Sequence, residues 1–146
     1  MAAGLSLMEE NLPAFRECLR NSCTLTEKDF IRKVWIDVPM PMSYVTETLI
    51  GEFEKLEPFG NGNPKPLFAE KNVRVCQMKV IGHLRNVLRM ELISADGHRS
   101  AAVMFGNADE LREDLQKKET VSILYYPQIN EYAGRRTIQM VVEAYR

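Results

Sequence analysis

"NVLRMELISADGHRSAAVMFG", residues 86–106, is the stretch whose reading decides the fold. Leu88, Met90 and Leu92 alternate with Arg89 and Glu91, the period of two expected of a strand with one buried face. Ala95-Asp96-Gly97 is a hairpin signal, and "RSAAVMFG" from Arg99 follows as the paired strand. Working outward, "NVRVCQMKVIGHL" (72–84) reads as a strand in front of this hairpin. Behind it, "NADELREDLQKK" (107–118) is a short helix, with Asn107 at its cap and Leu111 and Leu115 on its inner side. "ETVSILYYPQINEY" (119–132) is a strand running into a loop. "RRTIQMVVEAYR" (135–146) is the last strand, with Ile138, Met140 and Val142 on one face.

Strand, strand, strand, helix, strand, strand within residues 72–146 matches a five-stranded OB-fold β-barrel with one short helix. An SH3-like barrel is the competitor, but it does not normally carry a helix at that point. The N-terminal part is mixed. Leu12, Phe15, Cys18 and Leu19 recur at helical spacing and predict a helix from about Met8 to Arg20. "KVWIDVPMP" (33–41) reads as a strand with Val34, Ile36 and Val38 on one face. "MSYVTETLIGEFEKLEP" (42–58) predicts a helix capped by Ser43, with Val45, Leu49, Phe53 and Leu56 on its stripe and Pro58 as its stop. The class is α+β overall.

Bulk properties exclude several functions. The chain has 146 residues, of which 45% are hydrophobic and 27% charged, a composition of ordered globular domains. No apolar run approaches the roughly 18 residues of a membrane span, so no membrane role is expected. Cys18, Cys23 and Cys76 form neither a disulfide framework nor a zinc pattern, which fits a reducing cytoplasm, and they read as small buried or inert thiols. His83 and His98 are too few for a histidine-rich metal site. Net charge is −1, but its distribution is uneven: acids outnumber bases eleven to eight up to Lys71, and bases lead eleven to nine from Asn72.

"KLEPFGNGNPKP" (55–66) tolerates neither helix nor central strand. Asn61-Gly62 predicts a turn with positive φ, and the Asn63-Pro64 and Lys65-Pro66 pairs keep the chain extended. Phe59 and Phe68 would fix that turn between two modules. A phosphate-cradling nest is the weaker reading, because no Lys-Ser/Thr pair and no helix start follow.

Two stretches resemble one family. "AAGLSL" (2–7), followed by a helix containing "NLPAF", looks like the end of the DHHA1 domain of bacterial RecJ exonucleases of the DHH/DHHA1 phosphoesterase family. "LEPFGNGNPKPLF" (56–68) is similar to the motif joining that domain to an OB-fold. The resemblance implies three parts: 1–57 as the C-terminal part of a DHHA1-like domain, 58–71 as the connecting motif, and 72–146 as the OB-fold domain. Phe59, Gly60, Gly62, Asn63 and Pro64 are then interdomain residues. It also implies a metal-dependent 5′-to-3′ exonuclease that degrades single-stranded DNA in repair and recombination, with Mn2+ or Mg2+ in the full-length enzyme. This sequence has no Asp-His-His string, so no catalytic residue and no cofactor is expected in it. It is expected to be a truncated C-terminal portion or a short paralogue.

Binding is the activity left. An OB barrel takes single strands across its second and third strands, between the loops after strands one and four. Those positions offer Arg85 and Asn86 in "GHLRN", Arg89, Arg99, and Tyr132, Arg135 and Arg136 in "PQINEYAGRR". Arginines pair with phosphates and Tyr132 can stack a base. The plain alternative for Arg89 is a solubilising pair with Glu91. Phe105 and Tyr125 read as barrel core, and Met78, Met90, Met104 and Met140 as its filling. Single-stranded DNA is the expected partner, with a single-strand-binding protein as a second. The competing function is a protein-interaction or ring-closing module that does not bind DNA.

Overall fold

The computed structural model describes residues 4–31 and 33–146. Ala2 and Ala3 of the "AAGLSL" stretch lie outside them. The chain divides into two compact units, Met1–Val34 and Trp35–Arg146.

The first unit holds a 3-10 turn, Glu9–Asn11, then helix α1, Leu12–Ser22, and a second 3-10 turn, Glu27–Phe30. Pro13 sits in the first turn of α1, where its missing N–H costs nothing. The turn at Glu27 is held by a capping box: the Thr26 backbone N–H donates to Asp29 Oδ2 at 2.7 Å. None of these three elements contains a buried residue. Cys18 and Cys23 are exposed and Cys76 is half-buried, so of the two readings, buried group or inert thiol, burial does not hold for the first two.

The second unit is built on a six-stranded sheet. Its strands are β1 (Val38–Pro39), β2 (Phe68–Ile81), β3 (Val87–Ile93), β4 (Arg99–Phe105), β5 (Val121–Tyr132) and β6 (Arg135–Tyr145). The order is β1-β2-β3-β4-β6-β5, and β2 also pairs with β5, so β2 to β6 close a ring. One strand can serve both neighbours because β2 runs for 14 residues and bends twice. Asn72 (φ 58°) and Gln77 (φ 47°) take left-handed conformations where the register slips against β5 and β3 respectively. Expecting this strand to start at Asn72 missed its first bend.

Three local expectations need correction. The strand around Val34–Val38 shrinks to Val38–Pro39, paired in parallel with Phe68 and Ala69, and Ile36 and Val38 are exposed. Two prolines within three residues, Pro39 and Pro41, remove the donors a longer ladder needs. Helix α2 is Glu47–Glu54, capped by Thr46, whose hydroxyl accepts from the Leu49 N–H at 3.2 Å; Ser43 lies instead in the 3-10 turn Met42–Tyr44. The inner face of α2 carries Ile50 and Phe53, while Leu56 lies past its end and is exposed. Helix α3, Ala108–Gln116, starts after Asn107 as expected, but the Asn107 side chain makes no cap bond.

The core lies inside the ring. Leu88, Met90 and Leu92 of β3 are buried together with Ala102, Met104, Tyr125, Met140 and Val142. Tyr125 is wholly buried, and its hydroxyl donates to the Met40 carbonyl at 2.8 Å. Phe68 stacks on Phe53 of α2 at 5.1 Å and leans on Tyr125 at 6.0 Å. The 55–66 stretch folds on itself: Gly60 and Asn63 exchange backbone hydrogen bonds at 2.8 and 3.1 Å, and Gly62 has φ 92°. The Asn63 amide donates to the carbonyls of Leu56 and Pro58, tying the turn to the end of α2.

Candidate nucleic-acid interface

The outer face of the ring, between β3, β4 and the β5–β6 hairpin, forms an open groove of about 620 Å³. Its floor is Arg89, Ala101, Val103 and Phe105. Its wall is the hairpin. The segment after Pro127 is not a loop, because β5 continues to Tyr132 and β6 starts at Arg135. Ala133 (φ 50°) and Gly134 (φ 74°) make a two-residue turn, the primed geometry that suits the twist of paired strands. Pro127 is accommodated in β5 opposite Met140, two residues past a register shift at Leu124/Tyr125.

Strand alternation decides which hairpin residues face the groove. Gln128, Asn130 and Tyr132 on β5 pair with Gln139, Thr137 and Arg135 on β6, and all six line it. Arg136 pairs with Glu131 and does not line it. Adjacent residues on a strand face opposite ways, so Arg135 and Arg136 do not act as a pair on one strand of nucleic acid.

Among the expected cations, the structure separates the tied from the free. Arg85 is tied: Nε and an NH2 nitrogen donate to Asp109 Oδ2 and Oδ1 at 2.7 and 2.6 Å. This hydrogen bond pushes the Asp109 carboxyl below its usual range and the guanidinium above its own. The backbone carbonyl of Asn86 accepts the Gly106 N–H at 3.0 Å, which fixes the loop and leaves the exposed side-chain amide without a hydrogen bond among the described residues. Arg99 donates to Glu91 at 2.8 Å. Glu91 is thereby occupied, and the pairing of Arg89 with Glu91 does not form. Arg89 faces Lys79 across the β2–β3 ladder, two like charges directly opposite on an exposed surface, and neither has an ion-pair partner among the described residues. Such a pair is destabilising on its own. A second concavity, lined by Gln77, Lys79, Arg89 and Ala101 together with the ion-paired Glu91 and Arg99, shares Arg89 and Ala101 with the groove.

Phe105 overturns its reading as core. It is 61% exposed and lines the groove, as does Tyr132 at 80% exposure. On β4, Ser100, Ala102 and Met104 point inward, so Arg99, Ala101 and Phe105 point out. The outward phase of Phe105 follows from the alternation of Ser100, Ala102 and Met104 along the strand, which its aromatic character does not override. Lys79, Gln128, Asn130 and Gln139 were also missed. A polar side chain on an outward strand position carries no signal until the opposing hairpin is in place.

Among the described residues no three His, Cys, Asp or Glu side chains cluster as a metal site requires, so these residues do not fit a catalytic divalent ion. No helix among them is long and apolar enough to cross a membrane.

The family model described as the RecJ OB domain matches residues 36–144. The chain is similar to the single-stranded-DNA-specific exonuclease RecJ of Bacillus subtilis, at 32% identity over 149 residues, covering 98% of the chain and 18% of the relative. The Haemophilus influenzae protein of the same name is 27% identical over 146 residues, covering 98% of the chain and 25% of the relative. The crystal structure of RecJ in complex with Mn2+ from Thermus thermophilus shares the fold, with a TM-score of 0.71 at 21% identity, over 97% of this chain and 20% of that one. The chain therefore spans between 18% and 25% of the length of these curated relatives.

Proposed function

The chain belongs to the RecJ OB-domain family, and on that premise we propose that its groove binds single-stranded DNA on behalf of a RecJ-like exonuclease. In this reading β2 to β6 with α3 are the five-stranded OB barrel. The parent activity is 5′-to-3′ removal of nucleotides from single strands in repair and recombination, using Mn2+ or Mg2+ held elsewhere in the enzyme. The division at 57 and 71 is one of ancestry, with residues 1–57 descending from a DHHA1-like domain and 58–71 joining it to the barrel. The folding unit itself starts at Trp35.

The observation that carries the reading is the pairing of free cations with exposed aromatics. Among the described residues Lys79, Arg89 and Arg135 have no ion-pair partner, and Phe105 and Tyr132 offer flat faces on the same surface. A single strand needs both, cations along its backbone and platforms for its bases. The amides of Gln128, Asn130 and Gln139 add hydrogen-bonding groups that every base can use, which suits sequence-tolerant binding.

A labelled oligothymidylate titrated at low salt tests this. Binding is expected to be weak and to fall with salt, with a log–log slope of roughly −2 from three phosphates at about −0.7 each. Absence of binding would contradict it. A protein-interaction role is the second reading, and one feature favours it. A cleft on the other side of β5 is lined by Ile50, Phe53, Phe59 and Phe68, with Glu54 and Glu57 at hand. Mostly apolar, with two glutamates against the one lysine, Lys65, it suits a peptide better than a phosphate. If the oligonucleotide fails to bind, this cleft becomes the leading site.

A further inference from the structure

Among the described residues from Pro58 onward, three large apolar side chains remain exposed: Leu84 at 79%, Phe105 at 61% and Tyr132 at 80%. Two of them line the groove. Leu84 sits just beyond its end, at the tip of the loop that joins Ile81, which lines the groove, to Val87, the ladder partner of both Ile81 and Phe105. An exposed aliphatic side chain at a loop tip adds nothing to the core.

This loop is held unusually firmly for one that carries an exposed leucine. Gly82 (φ 86°) and Arg85 (φ 51°) are both left-handed, and the Arg85 N–H donates to the Gly82 carbonyl at 3.1 Å. A Cβ on Gly82 would stand 3.2 Å from Asn86 Oδ1, so the turn is tight as well as left-handed. The Gly106 and Ala108 N–H groups donate to the carbonyls of Asn86 and Arg85 at 3.0 and 3.2 Å. The bidentate Arg85–Asp109 bond then fastens the loop to α3. The backbone presenting Leu84 is therefore ordered before any ligand arrives, which lowers the entropy lost when that side chain is used.

We infer that Leu84 is a wedge that inserts between two consecutive bases of the bound single strand and breaks its stack at this end of the groove. The inference rests on the groove being a nucleic-acid site. Apolar side chains act this way on base steps elsewhere, and the step costs least in a single strand, where no pairing is lost. Phe105 and Tyr132 stack bases; Leu84 separates them. The ligand class is thus a single strand bent out of its helical stack where it meets the β2–β3 loop. Arg85 and Asp109 are positioning residues for the wedge.

The test is an oligodeoxyadenylate series with one 2-aminopurine at successive positions. This base is dark when stacked, on a neighbour or on an aromatic ring, and bright when unstacked. The wild-type protein is expected to brighten the two adjacent positions that flank the wedge. Leu84→Ala is expected to abolish the brightening and weaken binding by roughly three- to tenfold, Leu84→Met to retain both, and Arg85→Ala to blunt the brightening by loosening the loop. If the strand binds but no position brightens, or Leu84→Ala brightens like wild type, the wedge is wrong and the groove stands. If wild-type protein does not bind the strand at all, the groove reading fails and the wedge with it.

Discussion

Arg85 and Arg89 lie four residues apart at the two ends of one turn of chain, yet they do different work. Arg85 spends its fork on Asp109 and fixes a loop to a helix. Arg89 faces Lys79 on an open surface, with its one candidate acid, Glu91, already taken by Arg99. On the hairpin the difference is one of face: Arg135 lines the groove, while Arg136, opposite Glu131 in the ladder, does not. Counting arginines on loops therefore overestimates the binding surface. In the proposed reading the cations that bind are those without an ion-pair partner, a distinction that appears only once the strands are paired.

The aromatic platforms should show the largest effect. Phe105→Ala and Tyr132→Ala are each expected to weaken oligonucleotide binding by about 1–3 kcal/mol, the usual value of a stacked base, measured by fluorescence anisotropy at fixed salt. A Phe105→Ala variant that binds like wild type would remove β4 from the site. Next comes Arg135→Ala. It is expected to weaken binding and to flatten the log–log salt slope by about 0.7, the share of one phosphate on a single strand.

Arg85→Ala sharpens the comparison from the other side. It is expected to lower Tm while leaving the salt slope unchanged, because its partner is a protein carboxylate. The pH dependence has a definite sign. Asp109 is held below its unfolded value of about 3.9 by the hydrogen bond from Arg85, so its contribution is present above that pH and is lost as pH falls through the lower folded value. The Tm deficit of Arg85→Ala should be steady near neutrality and shrink below about pH 4. A deficit that persists unchanged into acid would mean that the loop, not the ion pair, is the source. Arg136→Ala should have the smallest effect, with affinity and slope both within error of wild type.

Much of this was legible in the sequence. The alternation of Leu88, Met90 and Leu92, the Ala95–Gly97 turn and the helix between β4 and β5 all follow from local pattern, and local pattern is what periodicity reports. The stretch 55–66 forms the turn its composition predicts, with Gly62 at positive φ. What failed depends on distant partners. Nothing near Phe68 announces that β2 begins there, because its neighbours on that stretch, β1 and Tyr125 of β5, lie far away in sequence. Pro127 looked like a strand end, yet β5 runs on past it along β6. The sequence sets Arg85, Arg99 and Arg136 beside Arg89 and Arg135 because the ion pairs of Arg85 and Arg99, and the outward face of Arg136, depend on partners elsewhere in the chain. Phe105 was lost to a preference for burying aromatics that its own strand contradicts.

The most direct test compares two charge-removal variants by the salt dependence of single-strand binding. One replaces the free cations Lys79, Arg89 and Arg135 by Ala; the other replaces the tied ones, Arg85 and Arg99. The first is expected to take the slope from roughly −2 to near zero, and the second to leave it at the wild-type value. A slope that flattens as much in the second variant as in the first would contradict the separation of free from tied cations on which this account depends.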